Sequence, residues 1–145
     1  MFKHMLIATD GSDLSEHAAL RAVQLAKKID AHVTAISVSL PFHAFTADYV
    51  MIGDKEDAYN QERAHRAARN LAVVGKAAEA AGVTFDGVHV FREQPYAAII
   101  EAAEQRGCDL ICMASHGRKG LTALVVGSET MKVLTHSSIP VLVFR

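Results

Sequence analysis

Five short apolar runs separated by four helical patterns constrain this chain more than any other feature of its sequence. Phe2 to Thr9 holds the run Met5, Leu6, Ile7, Ala8 and is closed by the turn cluster Asp10-Gly11-Ser12, which reads as a first buried strand. Asp13 with Glu16 three residues on has the form of a helix-starting cap, and Leu14, Ala18, Ala22, Leu25 and Ile29 then recur at helical steps. His32 to Ser39 supplies a second strand. Leu40 to Gly53, with Pro41 and three aromatics, keeps neither period and reads as a long connection. A helix is expected from about Asp54 to Gly82, with Ala64, Ala67, Leu71, Val74, Ala78 and Ala81 turned inward. Val83 to Phe91 reads as a third strand, Pro95 to Arg106 as a third helix stopped at Gly107, and Asp109 to Ala114 as a fourth strand. A loop from Ser115 to Gly120 follows, then a helical region from Leu121 to His136 interrupted at Gly127-Ser128, and a last strand from Pro140 to Phe144. The order is βαβαβαβαβ.

Strands that are apolar on both faces and alternate with helices call for a parallel sheet covered on each side. The fold class is therefore α/β, an open doubly wound five-stranded sheet, and 145 residues without repeat or linker make one domain, residues 1–145. Lys plus Arg number 15 against 16 Asp plus Glu, which argues against nucleic acid as a partner. No uninterrupted apolar run reaches the roughly 18 residues of a membrane span, and Met1 to Ile7 has no long apolar run behind a basic stretch, so a cytoplasmic protein is expected. Cys108 and Cys112, four apart in what reads as one strand, are expected on the same face as buried, reduced thiols.

In open parallel sheets ligands bind beyond the carboxyl ends of the strands, where the winding reverses. That directs attention to the loop Thr9, Asp10, Gly11, Ser12 and to the loop Ser115 to Gly120. Gly117 and Gly120 let backbone amides approach an anion, Gly127-Ser128 begins a helical stretch whose free N–H groups favour negative charge, and Arg118 and Lys119 add positive charge. This is the outline of a phosphate cradle, although glycines after a strand also serve turn geometry alone. Asp10 suits a ribose hydroxyl or a metal, and equally a turn-stabilising acid. His116, inside the loop, is a hydrogen-bond donor to an oxygen or an ordinary loop histidine.

At these residues the chain resembles the universal stress protein family over its whole length, from Ile7-Ala8-Thr9-Asp10 through Ser115-His116-Gly117-Arg118 to Gly127-Ser128 and Pro140-Val141-Leu142-Val143. The nucleotide-binding branch of that family carries Gly, two residues, Gly, nine residues, then Gly followed by Ser or Thr. Gly117, the nine residues Arg118 to Val126, and Gly127-Ser128 match it, while Ala114 stands at the first glycine. If that position needs positive φ, alanine costs on the order of 1 to 2 kcal/mol; otherwise its methyl crowds the ligand. The resemblance implies an adenine nucleotide alpha-hydrolase-like fold with strand order 3-2-1-4-5. It implies ATP (or AMP/ADP), with or without Mg, as ligand. Ala8, Thr9 and Asp10 would meet the adenosine, Val38 the base, and Met113 and Ala114 the ribose. Gly117, Gly127, Ser128 and Glu129, with His116, Arg118 and Gly120 in the same loop, would surround the phosphates.

The eight histidines show no ligand-like pairing, so no metal site is expected from them. Phe42, Phe45 and Tyr49 either cover a bound base as a lid or pack on the long helix. The apolar terminal strand 140–144 is expected at a sheet edge, and the resemblance implies antiparallel pairing there into a homodimer. The expected function is a stress-response or signalling module that binds ATP and changes its choice of an as yet unknown protein partner. It is not expected to be an enzyme, since the loops offer no general base or in-line nucleophile and allow at most slow hydrolysis. The alternatives are a dimeric regulatory protein that has lost nucleotide binding and, last, an adenylating enzyme, whose serine-glycine-glycine loop is missing.

Overall fold

The computed structural model describes residues 1–43, 49–117 and 125–145. Its elements are β1 His4–Ala8, α1 Asp13–Ile29, β2 His32–Ser39, α2 Tyr49–Ala81, β3 Phe85–Phe91, α3 Pro95–Gln105, β4 Leu110–Ala114, α4 Ser128–His136 and β5 Val141–Phe144. The strands form one parallel sheet in the order β3-β2-β1-β4-β5, with Ile7 beside Ala35 on one side and Cys112 on the other.

Pleat alternation divides the core into two layers. Met5, Ile7, Val33, Ala35, Leu110 and Cys112 pack under Ala19, Ala22, Val23 and Ala26 of α1 and Val74 and Ala78 of α2. Leu6, Ile36, Ile111 and Met113 pack on the opposite face against Ile99 and Ala103 of α3 and Val133 of α4. Alanines on the inward stripes let the helices lie close to the sheet.

Three expectations need correction. The segment Tyr49–Gly53, read as part of a connection, is already helical, and α2 runs 33 residues, about 50 Å, well past the end of the sheet. Ala64, expected to face inward, is exposed, and no residue from 53 to 66 is buried, so the inward stripe of α2 begins only at Ala67. The last helix starts only at Ser128 with Gly127 as its N-cap, so Val125 and Val126 precede it; residues 121–124 lie outside the described residues. The two thiols face opposite layers. Cys108 sits in the turn before β4, where its N–H donates to the Ala103 carbonyl at 2.8 Å, and packs with α3, whereas Cys112 lies under α1. The strand begins at Leu110, so the pleat does not extend back to Cys108. Burial pushes the Cys108 thiol up to about 11 and the Cys112 thiol up to about 12.

The N-terminus of α3 has no cap of its own. Gln94 makes no capping hydrogen bond, and the Tyr96 N–H instead donates to Glu129 Oε2 of α4 at 2.9 Å, while Lys132 holds Oε1 at 3.0 Å. One acidic side chain thus satisfies an orphan donor and locks α3 to α4. Replacing it by alanine, Glu129→Ala, should cost about 1 kcal/mol in urea unfolding, the usual worth of a lost cap. Glu129→Gln, which keeps an acceptor, should lose less.

At the amino end of the sheet, His4 stacks on His32 with ring centroids 3.7 Å apart and its Nε2 lies 2.8 Å from Thr34 Oγ1. Burial, then the neighbouring His32, lowers the His4 pKa; burial lowers that of His89. As pH falls through the ordinary imidazole value of 6.5, the unfolded chain takes up protons that the folded chain refuses, so stability falls until the folded pKa values are passed. The urea midpoint should drop between about pH 7.5 and about pH 5.5, and the drop should shrink in the double variant His4→Gln, His89→Gln.

Candidate functional site

The carboxyl ends of β1 and β4 lie side by side at the reversal of winding, and three bends converge there. The first follows β1. Asp10 Oδ1 accepts from the Ser12 N–H at 2.9 Å, and Ser12 in turn caps α1 by accepting from the Ser15 N–H at 3.3 Å. Thr9 is buried with its hydroxyl 3.2 Å from Ser15 Oγ, so its side chain braces the bend.

The second bend leaves β4. Ser115 N–H donates to the Phe144 carbonyl at 2.8 Å, and Ser115 Oγ lies 3.1 Å from His116 Nδ1. The third precedes α4. Its Gly127 N–H donates to the Ser115 carbonyl at 2.7 Å, which draws the second and third bends together across an excursion of 12 residues in sequence. A Cβ on Gly127 would lie 3.1 Å from His116 Cα and 3.3 Å from the Ser115 oxygen, and one on Gly117 would collide with Asp10 Oδ2. Both glycines therefore stand where another chain segment needs the space of a side chain. Gly127 offers no side-chain cap, and among the described residues the first amides of α4, at Ser128 and Glu129, have no acceptor and stand beside the Ser128 hydroxyl.

The structure brings Asp10, Ser115, His116, Gly117, Gly127 and Ser128 into one place. Ala8, Val38 and Met113 share the α3 and α4 face of the sheet just below. Ala114 ends β4 with only 6% of its surface exposed, and Thr130 Oγ1 donates to its carbonyl at 3.0 Å. Among the described residues Asp30 alone has positive φ without being glycine. Ala114 thus pays no backbone strain, and pleat alternation turns its methyl away from Met113. The Glu129 carboxylate is committed to the Tyr96 amide, leaving its own N–H for a ligand. Arg118 and Gly120 lie outside the described residues. So do Phe45 and the side chain of Tyr49; Phe42 packs on Tyr59 of α2, 5.5 Å between centroids.

Asn70 borders the candidate site and does not figure in the sequence reading. Its side chain lies against Gly11, where a Cβ would strike Oδ1, and its Nδ2 is 3.5 Å from Ser37 Oγ. The available signal was a polar residue on the inward stripe between Ala67 and Val74. Among the described residues no three His, Cys, Asp or Glu side chains gather within reach of a metal.

The universal stress protein family model matches residues 1–145. The chain is 34% identical to universal stress protein MJ0531 of Methanocaldococcus jannaschii, over 100% of this chain and 83% of that protein. It is 32% identical to universal stress protein YxiE of Bacillus subtilis over 100% of both. Among solved structures, hypothetical protein MJ0577, the subject of a structure-based assignment of biochemical function, superposes with a TM-score of 0.82 at 28% identity over 99% of this chain and 95% of that one. Two more distant folds carry nucleotides. A universal stress protein in complex with cAMP has a TM-score of 0.68 at 23% identity, over 99% and 96% of the two chains. One from Archaeoglobus fulgidus in complex with dAMP has 0.64 at 17%, over 100% and 98%. With a family model matched from end to end and relatives at this identity along the whole chain, this protein belongs to the universal stress protein family.

Proposed function

We propose that this protein binds an adenine nucleotide, ATP, in the crevice above β1 and β4 and acts as a stress-response or signalling module whose surface changes with the bound state. The observation that carries the reading is the contact of Gly127 with Ser115 and His116, which sets two glycine-cleared bends and the first amides of α4 beside Asp10. Such a cluster of backbone donors suits phosphate. Ala8, Val38 and Met113 suit the apolar face of a base and ribose, and the cAMP and dAMP complexes of fold neighbours favour the adenine class. The ligand oxygens, Asp10 and Ser128 are the donors that Mg would use. Binding rather than turnover fits the site, because Asp10 is held on the Ser12 amide and against Gly117. The buried thiols suit a reducing, cytoplasmic setting. A second reading, a regulatory dimer without nucleotide, draws on Ala114 in place of the family's glycine.

Calorimetric titration decides between them. ATP should give saturable heat and bind more tightly than AMP, and Ser128→Ala should weaken ATP about five- to tenfold, as expected for one lost hydrogen bond of about 1 kcal/mol. No heat with any nucleotide at millimolar concentration would end the first reading.

The homodimer belongs to the same proposal. Ile111 N–H donates to Pro140 and Ser115 N–H to Phe144, so Val141 and Val143 turn their main-chain groups outward from the β5 edge. Exposed Leu20 of α1 and Met131 and Leu134 of α4 extend its apolar margins. Val143→Pro removes one outward donor and should cost the protein one two-fold association step in sedimentation, whereas Val143→Ala should not.

A further inference from the structure

Among the described residues no strand pairs with the opposite edge of the sheet, β3. In the ladder with β2, Val33 N–H donates to Thr84 and Arg92 N–H to Ser39, so even-numbered residues of β3 bond inward. Phe85, Gly87, His89 and Phe91 therefore direct N–H and C=O away from the sheet. The pairing with β2 runs unbroken from Phe85 to Phe91, so the strand has neither a proline nor a bulge to blunt its edge. Beside it Val88, Val90, Ala98 and Ala102 line an open groove of about 260 Å³. The ion pairs of Arg106 with Asp86, and of Arg92 with Glu101 at 2.7 Å, stand at its two ends.

We propose that this edge takes a second copy of the chain, β3 against β3, antiparallel about a two-fold axis at His89. That register sets odd residues against odd, as closing the free ladder requires, and charge selects it from its neighbours. Asp86 then faces the partner's Arg92 at both ends of the contact. Each of these charges already has an intrachain mate, so Arg106, Asp86, the partner's Arg92 and the partner's Glu101 form a row of alternating sign. Gly87 faces the partner's Phe91, a ring that is 39% exposed in the single chain and gains a seat over a bare α-carbon. Moving the axis to Val88 sets Asp86 on the partner's Val90, and moving it to Val90 sets Arg92 on the partner's Val88; either strands a charge on a valine. The helices allow the approach. α2 packs on β2 and β3 alike, and a helix midway between strands about 4.8 Å apart lies about 5 Å from the axis. The two copies of α2 then meet at about 10 Å, an ordinary packing distance.

The test uses the full chain in sedimentation equilibrium. Gly87→Pro removes an outward N–H without touching the β2 ladder, and a Cβ there makes ordinary contacts, with Phe85 Cζ at 3.4 Å, Phe85 Cε1 at 3.6 Å and Leu71 Cβ at 3.7 Å. Gly87→Ala adds the same carbon and retains the donor. Two-fold contacts at both edges of one sheet do not close on themselves, so wild type and the alanine variant should show masses that keep rising with concentration, whereas the proline variant should stop at the dimer paired through β5. Asp86→Arg and Arg92→Asp should each lose this growth by setting like charges across the axis, and mixing the two variants should restore it. Equal masses for Gly87→Pro and Gly87→Ala, or a mixture no larger than its components, overturns the proposal and leaves the edge to a foreign strand.

Discussion

Burial of β1 and β4 on both faces is the constraint from which the rest of the molecule follows. Met5, Leu6 and Ile7 are at most 1% exposed, and every residue from Leu110 to Ala114 is buried. Two adjacent strands of this kind need helices above and below, and right-handed crossovers supply them only if the chain winds outward from β1 on one side and returns to β4 on the other. A gap must then open where the two windings part. The loops after β1 and β4 begin at that gap, so the position of the site is a by-product of packing the core.

Main chain shares the rim of the gap with a few short side chains. Gly117 makes room for a carboxylate and Gly127 for the backbone of the neighbouring bend. Their contribution is the absence of a side chain, which lets peptide dipoles collect where charged side chains would be costlier to hold in place. Glu129 shows the same economy from the other direction: its carboxylate serves α3, and its amide is left for the rim.

The sheet, and with it the bends after β1 and β4, were legible because apolar period and turn residues state them directly. All five strands fall within the stretches read as strands, 2–9, 32–39, 83–91, 109–114 and 140–144. The start of α2 was not legible, since Pro41 and the aromatics after it break the period before Tyr49, and a helix overhanging the sheet needs no apolar stripe to mark it. Cys108 and Cys112 misled because a pleat was counted through a turn. Asn70 stood out only as a polar residue on an inward stripe; its partner did not, because the contact with Gly11 joins residues 59 apart in sequence and no local pattern encodes that. The role of Ala114 turned on a dihedral, which spacing cannot report, and its ordinary φ removes strain from the comparison with glycine.

The two thiols carry a practical corollary. Both are buried, and burial raises their pKa well above the ordinary thiol value, so neither holds an appreciable thiolate at neutral pH. Maleimides and mild oxidants act on the thiolate, so both native cysteines should be chemically silent. A single cysteine introduced on the surface would carry a fluorophore or spin label in an otherwise unaltered background.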